Sequence, residues 1–168
     1  FTTWGEYRLG DIFEIKKGKR LTSEDQIAGR TPYIGAIDSN NGISNYIEQA
    51  PIHQGNTISL SYNGSVGEAF YQPNPFWATD DVNVLYFRKD NGVDFNMYIA
   101  MFICTILRCE KYRYYYGRKW VLDSMKETKI LLPSKSNTPD WSWMEHYIKS
   151  LNCKSIKTAN KKKTALLF

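Results

Sequence analysis

The sequence predicts a mixed α+β domain: a largely antiparallel, twisted sheet with a buried central helix and a further helix at the C-terminus. Three observations predict it. Short runs of β-branched and aromatic residues, broken by Asn-Gly and proline, fill roughly the first 90 positions. Between Phe95 and Glu110 the apolar residues change to helical spacing. That spacing returns after Asp140.

The elements follow in order. Tyr7 to Ile15 mixes apolar and polar positions, and Asp11 to Ile15 fits either one helical turn or the start of a strand. The polar loop Lys16-Lys17-Gly18-Lys19-Arg20 comes next. Thr31 to Ala36 reads as a short strand opened by Pro32, and Asn40-Asn41-Gly42 as a turn, because Asn and Gly tolerate positive φ. Asn56 to Tyr62 alternates with period two and meets Asn63-Gly64, so the chain turns there and pairs back through Glu68 to Tyr71. Pro73-Asn74-Pro75 closes that hairpin, and Asp81 to Phe87 is another strand. In the central helix Met97, Ala100, Met101, Cys104 and Leu107 share a stripe, with Ile99, Phe102, Ile103 and Ile106 alongside. Lys129 to Pro133 forms a last strand. Asp140 is the expected N-cap of the final helix, in which Trp141, Met144, Ile148 and Leu151 share a face. Residues 1–139 therefore read as the domain body, and residues 140–168 as the start of a helix for dimerisation or a partner.

Charge is unevenly distributed. The net +5 combines residues 1–107, with 8 Lys/Arg against 12 Asp/Glu, and residues 108–168, with 14 against 5. A mildly acidic body joined to a strongly basic C-terminal third speaks about partners more than about fold. No apolar run approaches the roughly 20 residues needed to cross a bilayer, so no membrane partner is expected. The chain opens Phe-Thr-Thr-Trp, without an initiator Met or a signal-peptide pattern, and reads as an excised domain or the continuation of a larger polypeptide. Three cysteines, Cys104, Cys109 and Cys153, have no CxxC spacing, which argues against a disulfide framework or zinc site and for a cytoplasmic protein.

Catalytic signals are thin. His53, in a loop, and His146, on the polar side of the last helix, lack a neighbouring nucleophile or ligand spacing and read as surface histidines. Asn74-Pro75-Phe76 approaches the Asn-Pro-Pro-aromatic motif that holds a flipped adenine in amino-methyltransferases, but the second proline and a glycine-rich cofactor loop are missing. Glu127-Thr128-Lys129 has the Glu-x-Lys spacing of metal-dependent nucleases without an upstream Pro-Asp, so an autonomous nuclease stands only as a rival reading. Asp80-Asp81 has no third carboxylate nearby for a hard cation. Gly64-Ser65-Val66-Gly67 matches the Gly-x-x-Gly of RNA-clamping loops, yet a hairpin tip needs those glycines anyway.

Binding signals are stronger. Tyr112 to Trp120 packs five aromatic rings and three cations around one glycine with no carboxylate. Flat π-faces combined with phosphate-seeking charge are the chemistry of a nucleic-acid surface. Arg113, Tyr115, Arg118 and Lys119 are its candidate contacts, and Lys16, Lys17, Lys19 and Arg20 would add phosphate contacts. Asn41, Tyr62, Asn63 and Ser65 could add polar readout from turns held by strands. Trp141, Met144, Ile148 and Leu151 are assigned to packing or a partner helix.

The order of motifs resembles the target recognition domain of restriction–modification specificity subunits, of type I systems and their type IIB relatives. Trp4 to Leu9, Gly10-Asp11-Ile12-Phe13 and Lys17-Gly18 look like that family's opening block. Pro32-Tyr33-Ile34, Asn41-Gly42-Ile43, Gly55 to Ser59 and Asn63 to Gly67 follow in its order. Leu131-Leu132-Pro133 and the Asp140-Trp141-Ser142-Trp143-Met144-Glu145 run resemble its close. The resemblance implies a non-catalytic module that reads one half of a split site on double-stranded DNA and directs methyltransferase and endonuclease. S-adenosylmethionine and magnesium would then belong to partner subunits: a methyltransferase subunit, and in some complexes a restriction subunit. With one such domain here, it also implies a fragment, a half-subunit that dimerises or pairs with a second specificity half, or part of a fused enzyme. A third reading is a basic protein-interaction domain with an acidic partner.

Overall fold

The computed structural model describes residues 2–114 and 118–151. Among the described residues ten strands distribute over three small sheets rather than one. β1 (Thr3–Arg8) lies beside β9 (Lys129–Lys135), whose other edge takes the short β10 (Thr138–Pro139). The central sheet has the order β2-β8-β5-β6, from β2 (Phe13–Lys17), β8 (Val82–Phe87), β5 (Thr57–Ser61) and β6 (Ala69–Gln72), all antiparallel. β4 (Ile43–Ile47), β3 (Ala28–Ile34) and β7 (Trp77–Ala78) form the third, in which β3 and β7 run parallel.

Both readings of residues 11–15 are realised in series. Leu9–Ile12 is one helical turn, α1, and Phe13 begins β2. Pro32 does not open β3 but sits inside it. The strand tolerates this because β7 pairs only from Tyr33 onward, so the missing N–H costs no ladder bond on that side. β9 likewise runs past Pro133 to Lys135.

The period-two pattern of β5 is real, yet all five of its residues are buried. Ile58 and Leu60 enter the main core, while Thr57, Ser59 and Ser61 face the other side, where Ser59 is joined through Gln72 to the Asn41 turn. There Gln72 donates to Ser59 Oγ at 3.0 Å and to the Asn41 carbonyl at 2.9 Å, which satisfies polar groups that burial would otherwise penalise.

The central helix, α2 (Met97–Cys109), starts at Asn96, whose side chain accepts from the amides of Tyr98 and Ile99. Ile99, Ile103, Cys104 and Leu107 face the main core with Leu9, Phe13, Leu85 and Leu132. Burial pushes the Cys104 thiol up to about 12, so it is an inert packing group. The short α3 (Leu122–Glu127) adds Met125. Asp140 caps the last helix, residues 141–151, accepting from the Trp143 amide at 2.9 Å. Trp141 and Met144 are buried in the main core, and Ile148 packs at its margin. For these three the packing alternative holds, and the partner-interface alternative does not. Leu151 alone of that face remains 41% exposed. Among the described residues no helix is long and apolar enough to cross a membrane.

Candidate nucleic-acid interface

One end of the central sheet gathers most of the candidate residues. Strand order places the C-terminal end of β2, the N-terminal end of β8 and the C-terminal end of β5 side by side, with Lys17 opposite Asn83 and Ser61 opposite Val82. Lys16 and Lys17 therefore end a strand and are not loop residues. Lys16 Nζ lies 4.5 Å from the centre of the Tyr86 ring and 3.9 Å from Glu14. Past the strand, Gly18 donates to the Val82 carbonyl, and Lys19 is held through its backbone: its amide donates to Ala78 O, and its carbonyl accepts from Trp77 Nε1 at 2.8 Å. A Cβ on Gly18 would stand 1.9 Å from the Thr79 oxygen, so only glycine allows this approach. The side chains of Lys17, Lys19 and Arg20 are left at the surface.

The β5–β6 turn projects from the same end. Gly64 and Gly67 adopt positive φ, at 73° and 81°. Tyr62 donates its amide to Asp81 O, and Asn63 Nδ2 donates to Asp81 Oδ1 at 2.7 Å, so the amide expected to be available for readout is already engaged. Burial, then the charges of Asp81 and Asp80, raise the Tyr62 phenol above its ordinary value and keep it a hydrogen-bond donor. Ser65 is half-buried, its amide 3.4 Å from Ala36 O. Asp80 and Asp81 thus put negative charge between the Lys17–Arg20 turn and the hairpin tip.

The aromatic-basic segment leaves the end of α2 and passes the hairpin. Its two chemistries separate. Trp120 is fully buried; it stacks on Tyr114 at 4.7 Å, and its Nε1 donates to Thr128 Oγ1 at 2.9 Å. The Trp120 amide donates to Tyr62 O at 3.2 Å. Tyr112 is 76% exposed. Arg118 lies over the Tyr114 ring at 5.9 Å, and both it and Lys119 are exposed, with no carboxylate in ion-pair distance among the described residues. Arg113 departs from expectation. Its Nε is 3.0 Å from Glu110 Oε2, a mostly buried carboxylate just upstream of the segment. The Nε–H itself points to Tyr112 Oη at 2.8 Å, which leaves Glu110 Oε2 close to the cation without a hydrogen bond. Burial raises the Glu110 carboxyl, and Arg113 partly offsets that. Tyr115 lies outside the described residues.

Two further expectations are corrected. Asn41 sits by the far end of β6, away from the hairpin tip, with its Nδ2 donating to Tyr71 O at 3.0 Å; at φ 54° it holds a turn rather than presenting its amide. His53 is buried, not on the surface. It stacks on Phe76, and its Nδ1 shares a hydrogen bond with Tyr86 Oη at 2.9 Å. Sequence reasoning also missed Glu68, Arg108 and Lys111. Glu68 Oε1 pairs with Lys111 and Oε2 lies 3.7 Å from Arg108 Nε, while Arg108 Nη2 donates to Ala69 O at 2.7 Å. No local pattern links residue 68 to residues 108 and 111, because the pairing is made by the packing of α2 on β6.

The nuclease constellation is not assembled. Glu127 is bound by Arg8 at 2.5 Å, Lys129 lies 3.6 Å from Glu6, and no group of three potential metal ligands occurs among the described residues.

Residues 2–161 match the family model for the type I restriction modification DNA specificity domain. The chain belongs to that family. It is 37% identical over 156 residues to the specificity subunit S.BcgI of a type II restriction enzyme from Heyndrickxia coagulans, covering 92% of this chain and 45% of that subunit. A putative type I specificity subunit of Mycoplasma pneumoniae is 29% identical over 110 residues, 64% of this chain and 27% of that protein. In fold, the specificity domain is similar to the crystal structure of the type I S subunit of M. genitalium, with a TM-score of 0.65 at 21% identity over 97% of this chain and 42% of that one. The HsdS subunit of Thermoanaerobacter tengcongensis gives 0.62 at 14%, over 93% and 39%. The specificity domain spans less than half the length of these relatives.

Proposed function

We propose that this domain reads one half of a split recognition site on double-stranded DNA for a restriction–modification complex and makes or breaks no covalent bond itself. The observation that carries the reading is the pair Arg118 and Lys119: exposed, free of carboxylate partners among the described residues, and set beside a strand-held hairpin tip in a DNA specificity domain. Cations so placed find phosphate, and Arg also suits bidentate contact with guanine edges. The surface turn Lys17 to Arg20 adds phosphate contacts at the same end of the sheet.

The relatives' greater length leaves room for a second specificity half, supplied in cis by a longer chain or in trans by a second copy. A methyltransferase subunit, and in some complexes a restriction subunit, would carry the S-adenosylmethionine and magnesium chemistry in the cytoplasm. The test is selection from a random duplex pool by the full-length chain with that methyltransferase subunit. Enrichment of a defined half-site, lost on R118A/K119A, supports the reading. Indifference to sequence favours the rival in which the basic face binds an acidic protein. A duplex cut by the chain alone with magnesium would restore the nuclease.

A further inference from the structure

The hairpin tip and the aromatic-basic segment come from distant parts of the chain, yet they are tied at both ends. At one end the Trp120 amide donates to Tyr62 O at 3.2 Å. At the other, Lys111 reaches Glu68, the residue that follows the tip. At the second tie the packing is close: a Cβ on Gly67 would stand 2.7 Å from Lys111 Cγ and 3.4 Å from its Cα. Arg108 reinforces the second tie, lying 3.7 Å from Glu68 Oε2 while stacking over Phe70 at 4.9 Å and donating to Ala69 O.

We propose that Glu68 is a positioning residue for DNA recognition, a buried anion that clamps the start of the aromatic-basic segment to the hairpin tip so that both present one rigid ledge. The inference rests on the half-site reading above. The Glu68 side chain is only 9% exposed, whereas Lys111 and Arg108 are each 41% exposed. Stability alone gives little reason for this arrangement, since burying a carboxylate costs solvation that an apolar side chain at the same position would not. What it does is fix register between two segments that no backbone ladder joins among the described residues. It also offsets one of the two positive charges of Lys111 and Arg108, which would otherwise add more sequence-blind attraction for any phosphate backbone. Glu68 thereby favours selective over indiscriminate binding in two ways.

The experiment compares the full-length chain and its E68Q variant, each with the methyltransferase subunit, on the duplex enriched by selection and on an arbitrary duplex of equal length. E68Q keeps the shape and removes the charge. Its affinity for the selected duplex is expected to fall about tenfold, the scale of one displaced base-reading contact, while affinity for the arbitrary duplex holds or rises. An E68Q protein that melts like the parent and keeps the parent's affinity ratio overturns the clamp. So does an equal fall on both duplexes. If E68Q does not fold, K111M removes the main partner from a half-exposed site; the ratio is expected to fall, and an unchanged ratio overturns the proposal. A parent chain that enriches no duplex sinks the half-site reading and the clamp with it, whereas a selective parent whose affinity ratio E68Q leaves unchanged sinks the clamp alone.

Discussion

Replacing Arg118 and Lys119 together by alanine tests the electrostatic claim most directly, because the structure distinguishes these cations from their neighbour Arg113. Both are exposed and have no carboxylate within ion-pair distance among the described residues, so each can neutralise a phosphate in full. Each phosphate neutralised on B-DNA contributes about 0.9 to the slope of log K against log salt, so the double variant loses about 1.8. Between 50 and 200 mM salt, a fourfold change, the parent's advantage over the variant shrinks by about 4 to the power 1.8, or roughly twelvefold. Arg113 gives the internal comparison. Its guanidinium is already held 3.0 Å from Glu110, so R113A should cost clearly less than one such increment. R113A should also lower stability, by leaving a mostly buried carboxylate alone. Fluorescence anisotropy on a labelled duplex across that salt range, with melting curves for each variant, reads both effects. An unchanged slope in the double variant, or a loss in R113A equal to that from either free cation, refutes the reasoning.

Three further outcomes follow from the packing. Trp120→Ala removes a fully buried ring that stacks on Tyr114 and bonds Thr128, and should cost about 3–5 kcal/mol in urea unfolding; a loss below about 1 kcal/mol would mean that the site collapses around the gap. Asn96→Ala deletes the acceptor of two first-turn amides of α2 and should lower stability by about 1 kcal/mol without changing the urea dependence. His53 is held below its ordinary 6.5, first by burial and then by the Lys16 charge, against a backbone bond at Lys17. The unfolded chain therefore binds its proton more readily. This contribution to stability is fully present above about pH 6.5 and declines as pH falls through the folded-state value, by at most about 1.4 kcal/mol per unit. His53→Gln should flatten that decline in melts at successive pH values, and an unaltered pH profile would assign it to other groups.

Much of the fold was legible because its signals are local. Asn63-Gly64 set the β5–β6 turn and Asn96 and Asp140 cap their helices; of the helical stripe Ala100, Cys104 and Leu107 are buried, whereas Met97 and Met101 stay exposed and Ile99, Phe102 and Ile103 take the core instead. The misreadings share a physical cause, which is that pattern reports chemistry along the chain and not what covers it. β5 alternates as a half-exposed strand would, yet its polar face is buried too, with Ser59 joined through Gln72 to the distant Asn41 turn. His53 stands in a polar loop sequence but is taken into the bridge that pairs it with Phe76. Trp141 and Met144 form the apolar face of a terminal helix, and only the position of the main core shows that the domain itself occupies that face.

The candidate interface was legible as composition and illegible as arrangement. Five rings and three cations announce a binding segment, but they do not tell which ring anchors and which is presented. Burial decides that: Trp120 is the plug, Tyr112 lies outside, and Arg113 has a carboxylate that the segment itself lacks. The acidic pair Asp80-Asp81 completes the picture, since it sits where β8 begins, between the Lys17–Arg20 turn and the hairpin tip. On the proposed reading a phosphate backbone is drawn to the flanks of this sheet end and repelled from its middle. Such a pattern selects an orientation, because a duplex laid across it the wrong way brings like charges together. On that reading the acids nearest the tip take part in recognition alongside the cations beyond them.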